Sequence, residues 1–160
     1  LEDADSRVRA NAIESLDSLD DEAVLQRLIF LSRSPNSRER ANSIKKLWEK
    51  GFQDYEISLI QMVEEPDEWT RASAVWVLGE IQAPHLLELI VEKTRDESPV
   101  VRENAIRALG KQGSLEQIRQ MTEYLSDPDN RVREAARDVM RDRLHLVYDI
   151  APKTAAIKAE

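Results

Sequence analysis

The sequence predicts an all-α fold, an α-solenoid made by stacking antiparallel helix pairs in one direction. The first observation behind this is a repeat: arginine recurs at Arg9, Arg40, Arg71, Arg102 and Arg133, always 31 residues apart with no insertion. The second is that small and apolar columns follow each arginine in step. Ala12, Ser43, Ala74, Ala105 and Ala136 form one column, and Ile13, Ile44, Val75 and Ile106 the next, which Arg137 breaks. Leu16, Leu47, Leu78, Leu109 and Met140 form a third. The third observation is composition: four Gly and few β-branched or aromatic residues outside short apolar clusters disfavour a β fold with many turns.

Each element has its own signals. Four residues before each arginine stand Asp5, Asn36, Asp67, Ser98 and Asp129, whose side-chain oxygens can cap the free N–H groups of a first helical turn. Asn36 with Glu39 has capping-box spacing. Pro99 fits the first helical position, where its missing N–H costs nothing, and Pro35, Pro66 and Pro128 stop the preceding helices. Gly79 and Gly110, then Gly51 and Gly113, fall where these helices are expected to end, as C-cap residues do. Between them lie second apolar segments, Val24–Leu31, Ile57–Val63, Leu86–Val91 and Ile118–Leu125, with Pro84 opening the third. Their apolar residues recur three and four apart, so they are helices as well. Units of this kind cannot bury their apolar faces alone and must stack.

The segments Asp129-Asn130-Arg131-Val132-Arg133-Glu134-Ala135-Ala136, Val101–Gly110 and Arg7–Ala12 resemble the D-x-x-V-R-x-x-A signature of HEAT repeats. The length is similar to the short bacterial class that also occurs in phycobilin lyases. The resemblance implies a right-handed superhelix over residues 1–145, about four and a half repeats starting on the second helix of a pair. It also implies that the V-R helix lines the concave face. Residues 146–160 leave the repeat, and Val147, Tyr148 and Ile150 are expected to cap the apolar end of the stack. The start on a second helix, with Leu1 in place of Met, suggests further repeats or domains of a parent chain.

Six residues before the arginines stand Asp3, Ser34, Glu65, Asp96 and Asp127. A loop carboxylate can pair with an arginine of its own or a neighbouring repeat, because the planar guanidinium bonds carboxylates at two points. We therefore expect Asp3, Arg9, Arg40, Glu65, Arg71, Asp96, Arg102, Asp127 and Arg133 to form a structural ladder. Ser34 interrupts it, which implies looser stacking of the second repeat or another partner there.

At 100° per residue, the columns of residues 7 and 14 point away from the buried stripe. They read Arg7, Arg38, Trp69, Val100, Arg131 and Glu14, Lys45, Trp76, Arg107, Asp138. Trp69 and Trp76 thus share one outward helix face, two turns apart. Exposed Trp beside Arg is the composition of a binding hot spot, and Ala41, Ala72 and Ser73 leave room to approach the backbone. The expected partner site is Trp69, Trp76, Arg38, Lys45, Val100 and Arg107, taking a protein or peptide whose acidic groups the three cations read. Trp48 lies nearer the buried stripe and is expected to pack between repeats.

Other functions find little support in the residues. There is no Cys, and the two His, His85 and His145, lack any metal-binding motif. The clusters Asp17, Asp20, Asp21, Glu22 and Glu64, Glu65, Asp67, Glu68 match no calcium loop and are expected to be solvated. We expect no catalytic residue, no metal and no cofactor. A net charge of −8 disfavours nucleic acid and anionic membranes. The longest apolar runs are too short to span a bilayer, and no export signal opens the chain, which leaves a cytoplasmic location. The paired His-Glu motifs of HEAT-like deoxyhypusine hydroxylases are missing. The alternative is a HEAT-like enzyme or accessory protein: a phycobilin lyase, or a DNA glycosylase with Trp69, Trp76, Asp67 and Arg38 as part of its site. The reading the residues favour is a non-enzymatic interaction or scaffolding module that binds a partner peptide or helix on the concave face.

Overall fold

The structure, a computed structural model, describes residues 1–16 and 21–150. The described residues hold helices α1 (Ser6–Glu14), α2 (Glu22–Leu31), α3 (Ser37–Glu49), α4 (Glu56–Met62), α5 (Glu68–Glu80), α6 (Leu87–Lys93), α7 (Pro99–Gln112), α8 (Leu115–Gln120) and α9 (Asn130–Ile150), and no strand. Short 3₁₀ turns lead into α4 and α6 and follow α8. The odd-numbered helices carry the arginines. Each packs on the next of its kind, α1 on α3, α3 on α5, α5 on α7 and α7 on α9. The even-numbered helices form a second layer, α2 against α3, α4 against α5, α6 against α7 and α8 against α9.

The repeat columns are the core. Ile13, Ile44, Val75 and Ile106 are fully buried in the arginine-bearing layer. Leu28, Leu59, Ile90 and Met121, again 31 residues apart, are buried in the second. Each such side chain contributes roughly 1.5–3 kcal/mol over its exposed state. Arg137, which replaces the column isoleucine, is exposed on α9.

The caps form as the spacing implies at Asp5, Asn36 and Asp67, which accept from Arg7, Glu39 and Thr70 backbone N–H groups. Two expectations need correction. Ser98 makes no side-chain cap; its hydroxyl donates instead to Glu68 on the preceding arginine-bearing helix. Asn36 and Glu39 make only half of a capping box, because the Glu39 carboxylate is drawn inward to other partners. The glycines divide in the same way. Gly51 follows α3 with φ +93° and ends it, and Gly113 is the cap of α7. Gly79 and Gly110 lie inside α5 and α7 and are not caps. A Cβ on Gly79 would stand 2.7 Å from Ala108 Cβ, and one on Gly110 2.6 Å from Val139 Cγ2. A side chain at either position would run into the next arginine-bearing helix, which glycine avoids.

Helix α9 crosses position 145 without a break and reaches Ile150. The side chains of 145–150 and the whole of 151–160 lie outside the described residues. With them lie His145 and the capping expected of Val147, Tyr148 and Ile150. Asp17 and Asp20 lie outside as well.

Candidate functional site

The arginine column is built into the layer contacts. Arg71 donates from Nε and Nη2 to the two oxygens of Asp96, at 2.9 Å each, and from Nη1 to the carbonyls of Glu65 and Pro66. Arg102 repeats this with Asp127 and the carbonyls of Asp96 and Glu97. Arg40 meets Glu65 at 2.8 Å. In each case the carboxylate belongs to the repeat that follows, 25 residues on, while the carbonyls bonded by Arg71 and Arg102 belong to the arginine's own loop. One guanidinium thus ties its own helix start to the next unit.

At Ser34 the chain solves the missing acid differently. Glu39, 1% exposed, takes Arg9 at 2.5 Å on one oxygen and the Ser34 hydroxyl at 2.5 Å on the other. Glu39 occupies a column otherwise filled by Val8, Thr70, Val101 and Val132. A buried carboxylate there replaces the loop carboxylate, so the rung is made from inside and the second repeat is not left unpaired. At the ends, Arg133 bonds the carbonyls of Asp127 and Pro128 and the side chain of Asn130, while Asp3 accepts the Asp5 N–H.

A second column of rungs is not among the sequence expectations. Asn42 donates to the Ala10 carbonyl and Asn104 to the Ala72 carbonyl, each 32 residues earlier. The signal was available: Asn11, Asn42, Ser73, Asn104 and Ala135 form one column. Ala135 has no side-chain donor to offer, and Ser73 does not reach across. Its hydroxyl turns back to the Trp69 carbonyl of its own helix at 2.7 Å.

A cleft of about 320 Å³ lies beside Ser73 on the arginine-bearing layer. Ala41, Ala72 and Ser73 lie along it, with Trp69, Trp76 and Val100 to one side and Glu14 and Arg38 to the other. Trp69 is 57% exposed. Trp76 differs from the expectation of an outward ring: it is half-buried against the core, with Lys45 Nζ 5.0 Å from the ring centroid. Neighbouring helices, which a single helical wheel ignores, cover it. Trp76 also borders a second cleft of about 290 Å³ between α5, α7 and α9, so it forms the ridge between the two. Trp48 and Val100 are partly buried against the core.

The three cations proposed to read acidic groups already have carboxylates. Arg38 meets Glu14 at 3.5 Å, Arg107 meets Glu103 at 3.1 Å, and Lys45 lies 3.9 Å from Glu49 and 4.0 Å from Glu80. Glu80 in turn pairs with Lys111. The surface is therefore one of mixed charge. Asp67 is committed to α5, accepting both the N–H and the hydroxyl of Thr70, and the hydroxyl holds its carboxyl below the usual range. The acidic residues around it are solvent-facing but paired: Glu64 with Lys93, Glu65 with Arg40, and Glu68 accepts from Ser98. His85 sits exposed at the start of the turn before α6, 2.8 Å from Glu56.

Among the described residues no group of three or more His, Asp or Glu is placed to hold a metal ion. Nor is any helix among them long and apolar enough to cross a membrane. No curated protein matches the chain. A family model for HEAT repeats matches residues 56–141, more than half of the 160 residues. HEAT repeats generally mediate protein–protein interaction and typically serve as non-enzymatic scaffolds. Paired helices, a 31-residue register kept by arginine rungs, and the match over α4 to α9 lead to one assignment: this chain belongs to the HEAT repeat family.

Proposed function

We propose that this chain is a non-enzymatic scaffolding module that holds a helix or peptide of a partner protein along the face made by α3, α5 and α7. What carries the reading is Trp69, 57% exposed beside a cleft lined by small side chains. A large aromatic left in water next to a hollow is the arrangement in which truncation typically costs a complex about 2 kcal/mol or more. The fitting occupant is an amphipathic segment that sets one apolar side chain against Trp69 and Val100. Its flanking charges would exchange with the Glu14–Arg38 and Glu103–Arg107 pairs. Stacked helices hold these groups at fixed spacing, so binding requires little rearrangement. A cytoplasmic location belongs to the same reading.

The test compares the wild-type chain with Trp69→Ser. Trp76 is left intact because it is half-buried and its removal would disturb packing. Proteins captured from the native extract are identified, and hydrogen exchange is then measured in the purified complex. The expected outcome is a partner retained by the wild type and lost by the variant, with slowed exchange in α3 and α5. Retention of the same proteins by both forms, or protection confined to other helices, would overturn the proposal.

A further inference from the structure

A second surface, sharing no lining residue with the Trp cleft, carries a different charge from the rest of the chain. It is a cleft of about 710 Å³ between the C-terminal half of α2, the loop after it, and the starts of α1 and α3. Arg9, Arg27, Arg33 and Glu39 are its charged lining residues. The repeat register shows how unusual this is. Arg27, Phe30, Arg33 and Ser34 bring two arginines and no carboxylate. The next repeat holds Ser58, Gln61, Glu64 and Glu65 at these positions, with two carboxylates and no cation. The two after that each carry a pair of carboxylates, Glu92 with Asp96 and Glu123 with Asp127, against Arg95 alone.

The arginines are under-used. Arg9 is held by Glu39. Arg27 donates from Nη2 to the Leu1 carbonyl at 3.3 Å, but its Nε is buried without a partner. Arg33 is exposed and makes no hydrogen bond or ion pair through its side chain among the described residues. Between them Phe30 is 66% exposed, its ring centroid 5.1 Å beneath the Arg27 guanidinium. A free guanidinium and a half-satisfied one beside a bare aromatic ring offer charge-assisted bonds and an apolar contact together.

We infer that this cleft binds an acidic segment of a partner protein, one Asp or Glu carboxylate engaging Arg33 and Arg27 while a neighbouring apolar side chain covers Phe30. The cations beside the Trp cleft are already paired with Glu14, Glu49, Glu80 and Glu103, whereas Arg33 has no carboxylate among the described residues, which favours acid recognition here. A nucleic acid fits poorly: its phosphates extend as a line, and the cleft offers only Arg27 and Arg33 to them in a chain of net charge −8.

The probe is a fluorescein-labelled decapeptide of alternating Leu and Glu, with a Leu–Gln peptide as control, read by fluorescence polarisation. Arg33→Glu and Phe30→Gln alter exposed side chains, and circular dichroism checks that both variants fold. The Leu–Glu peptide is expected to bind about tenfold tighter than Leu–Gln, the equivalent of one charge-assisted bond. Each variant should weaken it about tenfold, and added salt should weaken it further. Trp69→Ser should leave it unchanged, which separates this surface from the Trp cleft. The inference is overturned if Arg33→Glu has no effect, if the Leu–Gln peptide binds as well, or if a labelled twelve-nucleotide oligo-dT binds more tightly than the peptide.

Discussion

Arg71 and Asp96 form a two-point fork, both bonds 2.9 Å long, between one repeat and the loop of the next. The side chains are 8% and 7% exposed, and the remaining arginine nitrogen holds two carbonyls. Removing the cation alone would leave a buried carboxylate and two carbonyls without donors. Arg71→Leu is therefore expected to cost about 3–5 kcal/mol in urea unfolding. Arg107→Leu, which breaks an exposed pair within one helix, should cost less than about 0.5 kcal/mol. Arg71→Lys should recover only a minor part, since an ammonium group cannot span fork and carbonyls together. Equal losses for the Arg71→Leu and Arg107→Leu variants would show that the fork does not hold the register.

The same forks set an acid limit. Burial opposes ionisation of Asp96, but hydrogen bonds from Arg71 and the Ser98 N–H, with the charges of Arg71 and Lys93, outweigh it and hold the carboxyl below its usual range. Asp127 is lowered in the same way, burial being outweighed by Arg102 and the Asp129 N–H. A carboxyl lowered in the folded state binds protons more readily when unfolded. Its contribution is complete above the unfolded value near about 4 and is lost as pH falls through the folded value. Stability should be level from pH 7 to about 5 and decline below about 4. Asp96→Asn should be less stable at pH 7 and show a shallower acid decline; an unchanged slope would separate Asp96 from the acid transition.

The layer, the helix order and the acid column were legible because a fixed 31-residue period repeats the same physics five times. What stayed hidden are the departures from the period. Glu39 looked like half of a capping box because its partners, Arg9 and Ser34, are brought to it only by stacking. Trp76 looked exposed because a helical wheel contains one helix, whereas Lys45 of the preceding arginine-bearing helix lies over its ring. Arg38, Lys45 and Arg107 looked free because their carboxylates come from other columns of the repeat and meet them only in the folded helices. The Arg27–Arg33 cleft was readable only as an absence, Ser34 where an acid was due.

Ser43 departs from its column at a cost. It stands where the other repeats have alanine, is fully buried, and its hydroxyl has no hydrogen-bond partner among the described residues. Desolvating an unpaired hydroxyl is unfavourable, and serine is a weaker helix former than alanine. Ser43→Ala is expected to raise stability by about 1 kcal/mol. A loss in thermal or urea unfolding would mean that the hydroxyl has a partner in solution.

Gly79 lies where α5 packs against Ala108 of α7. Added to it, a Cβ would lie 2.7 Å from Ala108 Cβ and 3.0 Å from Ala108 Cα. Helix propensity alone would favour alanine by about 1 kcal/mol, but overpacking against backbone costs about 1–3 kcal/mol. Neither neighbour is the end of a flexible side chain, so the steric cost should win and Gly79→Ala should lose about 1–2 kcal/mol. Ala108→Gly in the same chain removes the nearer clash but leaves the backbone of residue 108 just as close. The double variant should therefore be more stable than the two single losses added together, a positive coupling between the sites. Simple additivity in urea unfolding would show that the helices do not touch at this point, and that glycine here answers to something other than packing.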